Sequence, residues 1–333
     1  MNRMRKILLL TVLFCCVNMT AGIVASENPA NGLPPIPKGY QNEDQIKAAI
    51  FTGQVKLIDA ANVPVPDSIV EELDIEYGKI GGRSLKLDLY RPKATAKPVP
   101  AIIFIHGGAW KGGDKSHMKF YAVRFAKQGY VTASIAYRFS QEAPFPAAVE
   151  DAKCAVRWLR AHAKTYNVDP DKIAVSGNSA GGHLSLMVGY SSDVEEWEGQ
   201  GGNSGVSSRV QAVINFYGPV DLTTPFAQKQ SVVHQFLAGK KYDEEPKLYH
   251  RASPITYLTQ DDPPTLIFHG SIDSTVPIDQ ADMLADKLSE LGIPYLYDQF
   301  EGWPHTMDLA QVVNDRCCYQ MDRFLEKFLP LND

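Results

Sequence analysis

No block of lysine or arginine interrupts this sequence, and 33 basic residues face 38 acidic ones for a formal charge of −5. Nucleic-acid binding through phosphates needs clustered cations, so it is excluded as a main function. No apolar run reaches the length of a transmembrane helix. Five cysteines in 333 residues do not make a disulfide framework, and no Cys/His spacing has the shape of a zinc site. No segment repeats. What is present is ordinary globular composition, with 44% hydrophobic and 21% charged residues. That excludes a coiled coil, a collagen-like fibre and a wholly disordered chain, and suffices for one large α/β domain.

The first residues read as an address. Arg3, Arg5 and Lys6 precede an apolar stretch from Ile7 to Val17, the pattern of a secretory signal peptide. Small residues at Val24-Ala25-Ser26 place cleavage after Ser26, giving a signal peptide over 1–26 and a secreted or periplasmic product. Cys15 offers a lipoprotein alternative, but the bulky Phe14 stands where a lipobox wants a small residue. Cleavage removes three basic and no acidic residues, leaving 30 against 38 and a net −8. That balance argues against stable membrane association. It also leaves Cys154, Cys317 and Cys318, an odd number, read as buried thiols.

Residues 27–70 read as an N-terminal linker or extension, with Pro, Gly and Asn frequent up to Tyr40. The catalytic domain is expected over 71–333. Glu71–Tyr90 reads as two strands joined at Gly81-Gly82. Ala101–Ile105 is apolar throughout, as a strand buried on both faces must be. Helices are expected at 119–128, 146–166, 180–190, 277–291 and 309–329. Strands are expected at 131–137, 172–176, 210–216, 265–268 and 294–300. Such alternation implies α/β architecture, with a mostly parallel sheet and helices on both faces. Residues 191–209 read as a polar surface excursion. Residues 221–258 carry no strand signal and read either as a short lid, with Phe226, Phe236 and Leu237 towards an acyl pocket, or as packing around the sheet.

The chemistry concentrates at Gly177-Asn178-Ser179-Ala180-Gly181-Gly182, a G-x-S-x-G sequence between a strand and a helix. A nucleophile on so sharp a turn needs neighbours without a Cβ. The amide of Ala180, at a helix N-terminus, then faces a developing oxyanion. His106-Gly107-Gly108-Ala109-Trp110 follows the buried strand, where Gly107 and Gly108 can present further amides. A serine nucleophile needs a base, and the base an orienting acid. His305, in Gly-Trp-Pro-His after strand 294–300, is the candidate base, and Asp273, after strand 265–268, the candidate acid. Asp221 is the fallback acid. His183 and His269 read as structural, while His117, His162, His234 and His250 have no motif around them.

These residues resemble an α/β-hydrolase-fold serine esterase, specifically the hormone-sensitive-lipase-like and bacterial feruloyl/acetyl-esterase-like (BD-FAE-like) branches. The resemblance covers roughly residues 72–328. It rests on HGGAW, YRFSQEAPFPAAVEDAKCAVRWLR, DPDKIAVSGNSAGGHL, SPITYL, DDPPTLIFHGSIDSTVP and GWPH in that order. It implies Ser179 as nucleophile, Asp273 as acid, His305 as base, and Gly107, Gly108 and Ala180 as the oxyanion site, with Trp110 at the substrate. It implies an α/β-hydrolase fold with a small cap, no metal or organic cofactor, and a small-molecule or polysaccharide-linked ester as partner.

The hormone-sensitive-lipase pattern has a third glycine where Ala109 stands here, so HGGxW is closer to the feruloyl/acetyl branch and to kynurenine formamidases. That leaves amide cleavage as an alternative to ester cleavage. HGSIDSTVP also resembles prolyl-oligopeptidase-type peptidases, but the residues between 26 and Glu71 cannot make their propeller. A non-catalytic binding protein on the same scaffold is the remaining class, and such proteins usually lack a triad member.

Overall fold

The computed structural model describes residues 23–24 and 32–331. The signal-peptide and Cys15 expectations therefore fall outside the described residues, Ile23 and Val24 apart. In chain order the elements begin with β1 (Ile23–Val24), α1 (Glu43–Phe51), β2 (Ile69–Ile80), β3 (Arg83–Pro92), β4 (Val99–Ile105), α2 (Lys119–Gln128) and β5 (Val131–Ile135). Next come α3 (Ala147–Ala161), α4 (Ala163–Tyr166), β6 (Val168–Asn178), α5 (Ala180–Tyr190) and β7 (Ala212–Phe216). The chain continues through α6 (Pro225–Gln228), α7 (Ser231–Phe236), α8 (Pro246–Arg251), β8 (Thr265–Gly270), α9 (Asp279–Leu291), β9 (Tyr295–Phe300) and α10 (Gln311–Phe328).

The strands form one sheet in the order β1-β9-β8-β7-β6-β4-β5-β3-β2. Only β3 runs against its neighbours; every other pairing in the series from β5 to β1 is parallel. β4 is the pivot. All seven of its residues are buried. Ala101, Ile103 and Ile105 point into one apolar layer and Ile102 and Phe104 into the other. Helices α3, α5 and α9 cover the first layer and α2 and α10 the second. Because β5 and β6 flank β4 on opposite sides, the winding direction reverses there. Crevices at the carboxyl ends of the strands open at such a reversal.

Local chemistry explains the element ends. Gly129 (φ 118°) and Gly292 (φ 70°) take the left-handed conformation that closes α2 and α9. The expected helix over 146–166 breaks at His162, where the ring Nδ1 donates to the Trp158 carbonyl at 2.7 Å.

Two stretches outside the sheet are fastened to the body. Residues 191–209 run over the surface as expected, pinned by the buried Trp197 and by the ion pairs of Glu198 with Lys153 and Arg157. The extension before β2 is also laid against the body. Tyr40 N–H donates to Gly302 O at 2.8 Å, Trp303 Nε1 to Pro37 O at 3.1 Å, and Arg316 Nη1 to Pro34 O at 2.5 Å. Further along, Ile58 N–H donates to Leu309 O and Gln311 N–H to Lys56 O. Among the described residues no helix is long and apolar enough to cross a membrane.

Candidate active site

Three strand ends bring the chemistry together. β6 ends at Asn178, and the chain reverses into α5 through Ser179, whose φ of 53° and ψ of −120° lie where a residue with a Cβ is strained. The turn closes only because its neighbours lack side chains. A Cβ on Gly181 would stand 2.0 Å from Ile105 O, and one on Gly177 would stand 2.3 Å from Gly181 O. The Ser179 amide donates to Phe216 O at 2.9 Å, fastening the elbow to β7. Helix α5 behind it is buried along its whole length, so the nucleophile stands on rigid core.

Ser179 Oγ lies 2.9 Å from His305 Nε2, and His305 Nδ1 donates to Asp273 Oδ2 at 2.6 Å. The structure thus brings together the three residues that the motifs single out, from loops after β6, β8 and β9. Asp273 Oδ1 accepts the amides of Thr275 at 2.8 Å and Val276 at 2.9 Å, which fixes its carboxylate plane. Burial would raise its pKa, but hydrogen bonds from His269 and His305 outweigh this and hold it down to about 2. An acid so low stays ionised beside the imidazole, which sets the ring tautomer. The fallback acid Asp221 is engaged elsewhere, taking the Thr223 amide at 2.8 Å and the Thr223 hydroxyl at 2.6 Å.

The glycine loop after β4 meets its expectation in part. Gly107 makes room, since a Cβ there would lie 3.2 Å from Ser179 Cβ. Its N–H, however, donates to Asn178 Oδ1 at 2.7 Å and is not free for an oxyanion. This is a correction: Gly107 locks the loop to the elbow. The amides of Gly108 and Ala180 have no partner among the described residues. Gly108 stands at φ 120°, and a Cβ there would lie 2.1 Å from Gly112 O; Ala109 and Trp110 follow at 54° and 55°.

Trp110 is also corrected. Expected at the substrate, its ring is 3% exposed, stacked on Phe236 with centroids 4.5 Å apart. Its Nε1 donates to His183 Nδ1 at 3.2 Å, and His183 Nε2 donates to Ala252 O at 2.8 Å. An indole this apolar is drawn into the layer beneath the loop rather than left in an open cleft. Burial lowers the His183 pKa to about 4, so this histidine is neutral and structural, as expected. Phe236 and Leu237 are buried against the same layer, and Phe226 is half-buried on it.

Sequence reasoning missed two residues beside His305. Tyr217 follows β7 at φ 41°, and its ring centroid lies 4.6 Å from that of His305. Its hydroxyl donates to Asp308, which also takes the Tyr121 hydroxyl at 3.1 Å. Burial raises the Asp308 pKa, opposed by those two phenols. Neither residue belongs to a motif. The only signal was a strand running straight into an aromatic residue.

Residues 87–288 match the BD-FAE family, a span that holds Ser179 and Asp273 and ends before His305. The chain is 34% identical to esterase LipC of Mycobacterium tuberculosis over 67% of its own length, and spans 57% of that relative. Among solved structures it resembles a truncated carbohydrate esterase from gut microbiota, at 29% identity and TM-score 0.68, covering 78% of this chain and 98% of that one. It also resembles an acetyl ester-xyloside bifunctional hydrolase from Caldicellulosiruptor lactoaceticus, at 26% identity and TM-score 0.66, covering 74% and 88%.

Proposed function

Since the chain belongs to the BD-FAE family of α/β-hydrolase esterases, we propose that it is a serine carboxylic-ester hydrolase working through an acyl-enzyme on Ser179. The observation that carries this reading is the continuous relay Ser179 Oγ–His305 Nε2 at 2.9 Å and His305 Nδ1–Asp273 Oδ2 at 2.6 Å, set on a strained elbow.

The reaction follows from that geometry. Ser179 Oγ adds to the ester carbonyl carbon while its proton passes to His305 Nε2. Asp273 remains a carboxylate and stabilises the imidazolium. The carbonyl oxygen becomes an oxyanion, for which the Ala180 amide at the start of α5 and the Gly108 amide are the available donors. Collapse breaks the bond to the alkoxy oxygen, which leaves as an alcohol carrying the proton from His305. Water then adds to the acyl carbon with its proton taken by His305, and the acid departs as Ser179 regains its hydrogen.

The substrate class is that of short acyl esters, including acetyl or feruloyl groups on polysaccharide. The carbohydrate esterase and the acetyl ester-xyloside hydrolase among the structural relatives support it. The basic and apolar N-terminal pattern supports secretion or a periplasmic location.

The test is hydrolysis of p-nitrophenyl acetate through decanoate, beside acetylated xylan, methyl ferulate and a matched anilide. Ester cleavage is expected to dominate. Ser179→Ala should lose turnover on the order of a million-fold while keeping its circular dichroism. Preferential cleavage of the anilide, or activity surviving in Ser179→Ala, overturns the reading.

A further inference from the structure

A cavity of about 650 Å³ opens between the N-terminal extension and the loop that carries His305. Lys38, Tyr40, Gln41 and Gln45 line one side and Glu301 and Gly302 the other. Its walls are rigidly joined. A Cβ on Gly39 would stand 1.9 Å from Glu301 O, and one on Gly302 would stand 2.6 Å from Tyr40 N, so the two backbones touch. Tyr40 packs edge-on against Trp303, with centroids 5.7 Å apart, and Trp303 is itself buried. From the neighbouring helix α1, Glu43 accepts a hydrogen bond from Ser274, the residue after Asp273. The cavity is thus tied to the loops of both the base and the acid. Glu301 precedes His305 by four residues, a reach of at most about 14 Å.

The lining has a definite chemistry. It contains no aliphatic side chain, only amides, one phenol, one ammonium and one carboxylate beside glycine backbone. Lys38 and Glu301 take part in no ion pair among the described residues, and their charges balance. An anion finds no net positive field here. A neutral polyhydroxylated ligand finds donors, acceptors and an aromatic ring, the group set that fixes sugars by hydrogen bonds and ring contact.

We propose that this cavity is the subsite for the carbohydrate that carries the scissile ester, seating sugar residues beyond the one whose acyl ester is cleaved at Ser179. The proposal rests on the esterase reading above and assigns the N-terminal extension to substrate recognition.

The experiment has two arms. In a Ser179→Ala background, xylohexaose is titrated calorimetrically into chains with the natural lining and with Gln45→Ala plus Glu301→Ala, both exposed positions. The lining changes are expected to weaken binding about fivefold or more. Equal affinity in the two chains, or no binding to either, overturns the proposal. In the active protein, the ratio of kcat/KM on acetylated xylan to that on p-nitrophenyl acetate is expected to fall about fivefold or more in the double variant. An equal fall on both substrates overturns it, because the side chains would then serve His305 rather than sugar. A wild-type enzyme that cleaves p-nitrophenyl acetate but leaves acetylated xylan intact defeats the polysaccharide reading instead, and the titration still decides the subsite.

Discussion

The imidazole of His269 stands 3.4 Å from Asp273 Oδ2, the same oxygen that accepts the His305 Nδ1 proton. His269 is fully buried at the end of β8, and its Nε2 donates to Val276 O at 2.8 Å, closing the turn that presents Asp273. It is therefore a positioning residue. His269→Ala should lower kcat by about ten- to a hundredfold with KM little changed, since it loosens the acid without touching the cleft. Separate kcat and KM values check this, and a change confined to KM would contradict it.

Asp273 also couples stability to pH. Its pKa of about 2 in the folded chain lies below the ordinary carboxylate value of 3.8. The sign follows: the stabilisation is complete above pH 4 and disappears as pH falls through about 2. Wild-type protein should lose about 2 kcal/mol more than Asp273→Asn over that window. Denaturant unfolding at pH 5, 4, 3 and 2 measures the difference. Asp273→Asn should also lower kcat about ten-thousandfold by spoiling the tautomer.

The cysteines Cys154, Cys317 and Cys318 are free and buried. Burial pushes the Cys154 thiol up to about 11 and Cys318 to about 12, and raises Cys317 as well. Thiolates, not thiols, react, so alkylation at pH 8 should leave these three unmodified until the chain unfolds. Mass spectrometry of the peptides that carry them decides it. Rapid labelling of native protein would contradict the placement.

Arg316 is buried with Asp298, at 2.7 and 2.9 Å, and also holds the carbonyl of Pro34. Arg316→Ala leaves a carboxylate inside the protein without its cation, a change worth about 3–5 kcal/mol. The melting temperature should fall by about 10 °C. A shift within experimental scatter would show that the pair contributes nothing.

The parallel sheet and its helices were legible from two patterns: an unbroken apolar run at 101–105, and near-helical spacing of Ala148, Ala152, Ala155, Val156 and Leu159 within 146–166. Ser179, Asp273 and His305 were legible for another reason. Each follows a strand, and strand ends in such a sheet converge. The oxyanion loop was read less well, because glycine composition says which amides are free of a side chain but not which are already bonded. Only the fold shows that Asn178 takes the Gly107 N–H. Trp110 was misplaced because an indole in a motif has no period to tell burial from display. Residues 191–209 were legible as surface from their polar, Gly/Ser-rich composition, but the ion pairs that pin Glu198 were not, because Lys153 and Arg157 lie far back in the chain. The extension before β2 looked like linker because its contacts are made largely through backbone groups, which composition does not record.

The two halves of the relay stand on ground of unequal firmness. Ser179 heads a helix with every residue buried, beside the central strands, whereas His305 lies on a loop after β9, the second strand from the sheet's edge, a loop that the N-terminal extension holds at Gly302 and Trp303. Local opening begins at edges and termini. On warming, the extension should release first and let the imidazole swing away while the serine keeps its place. Catalysis would then fade at temperatures where the central sheet still protects its amides from exchange, and cooling would restore it without refolding.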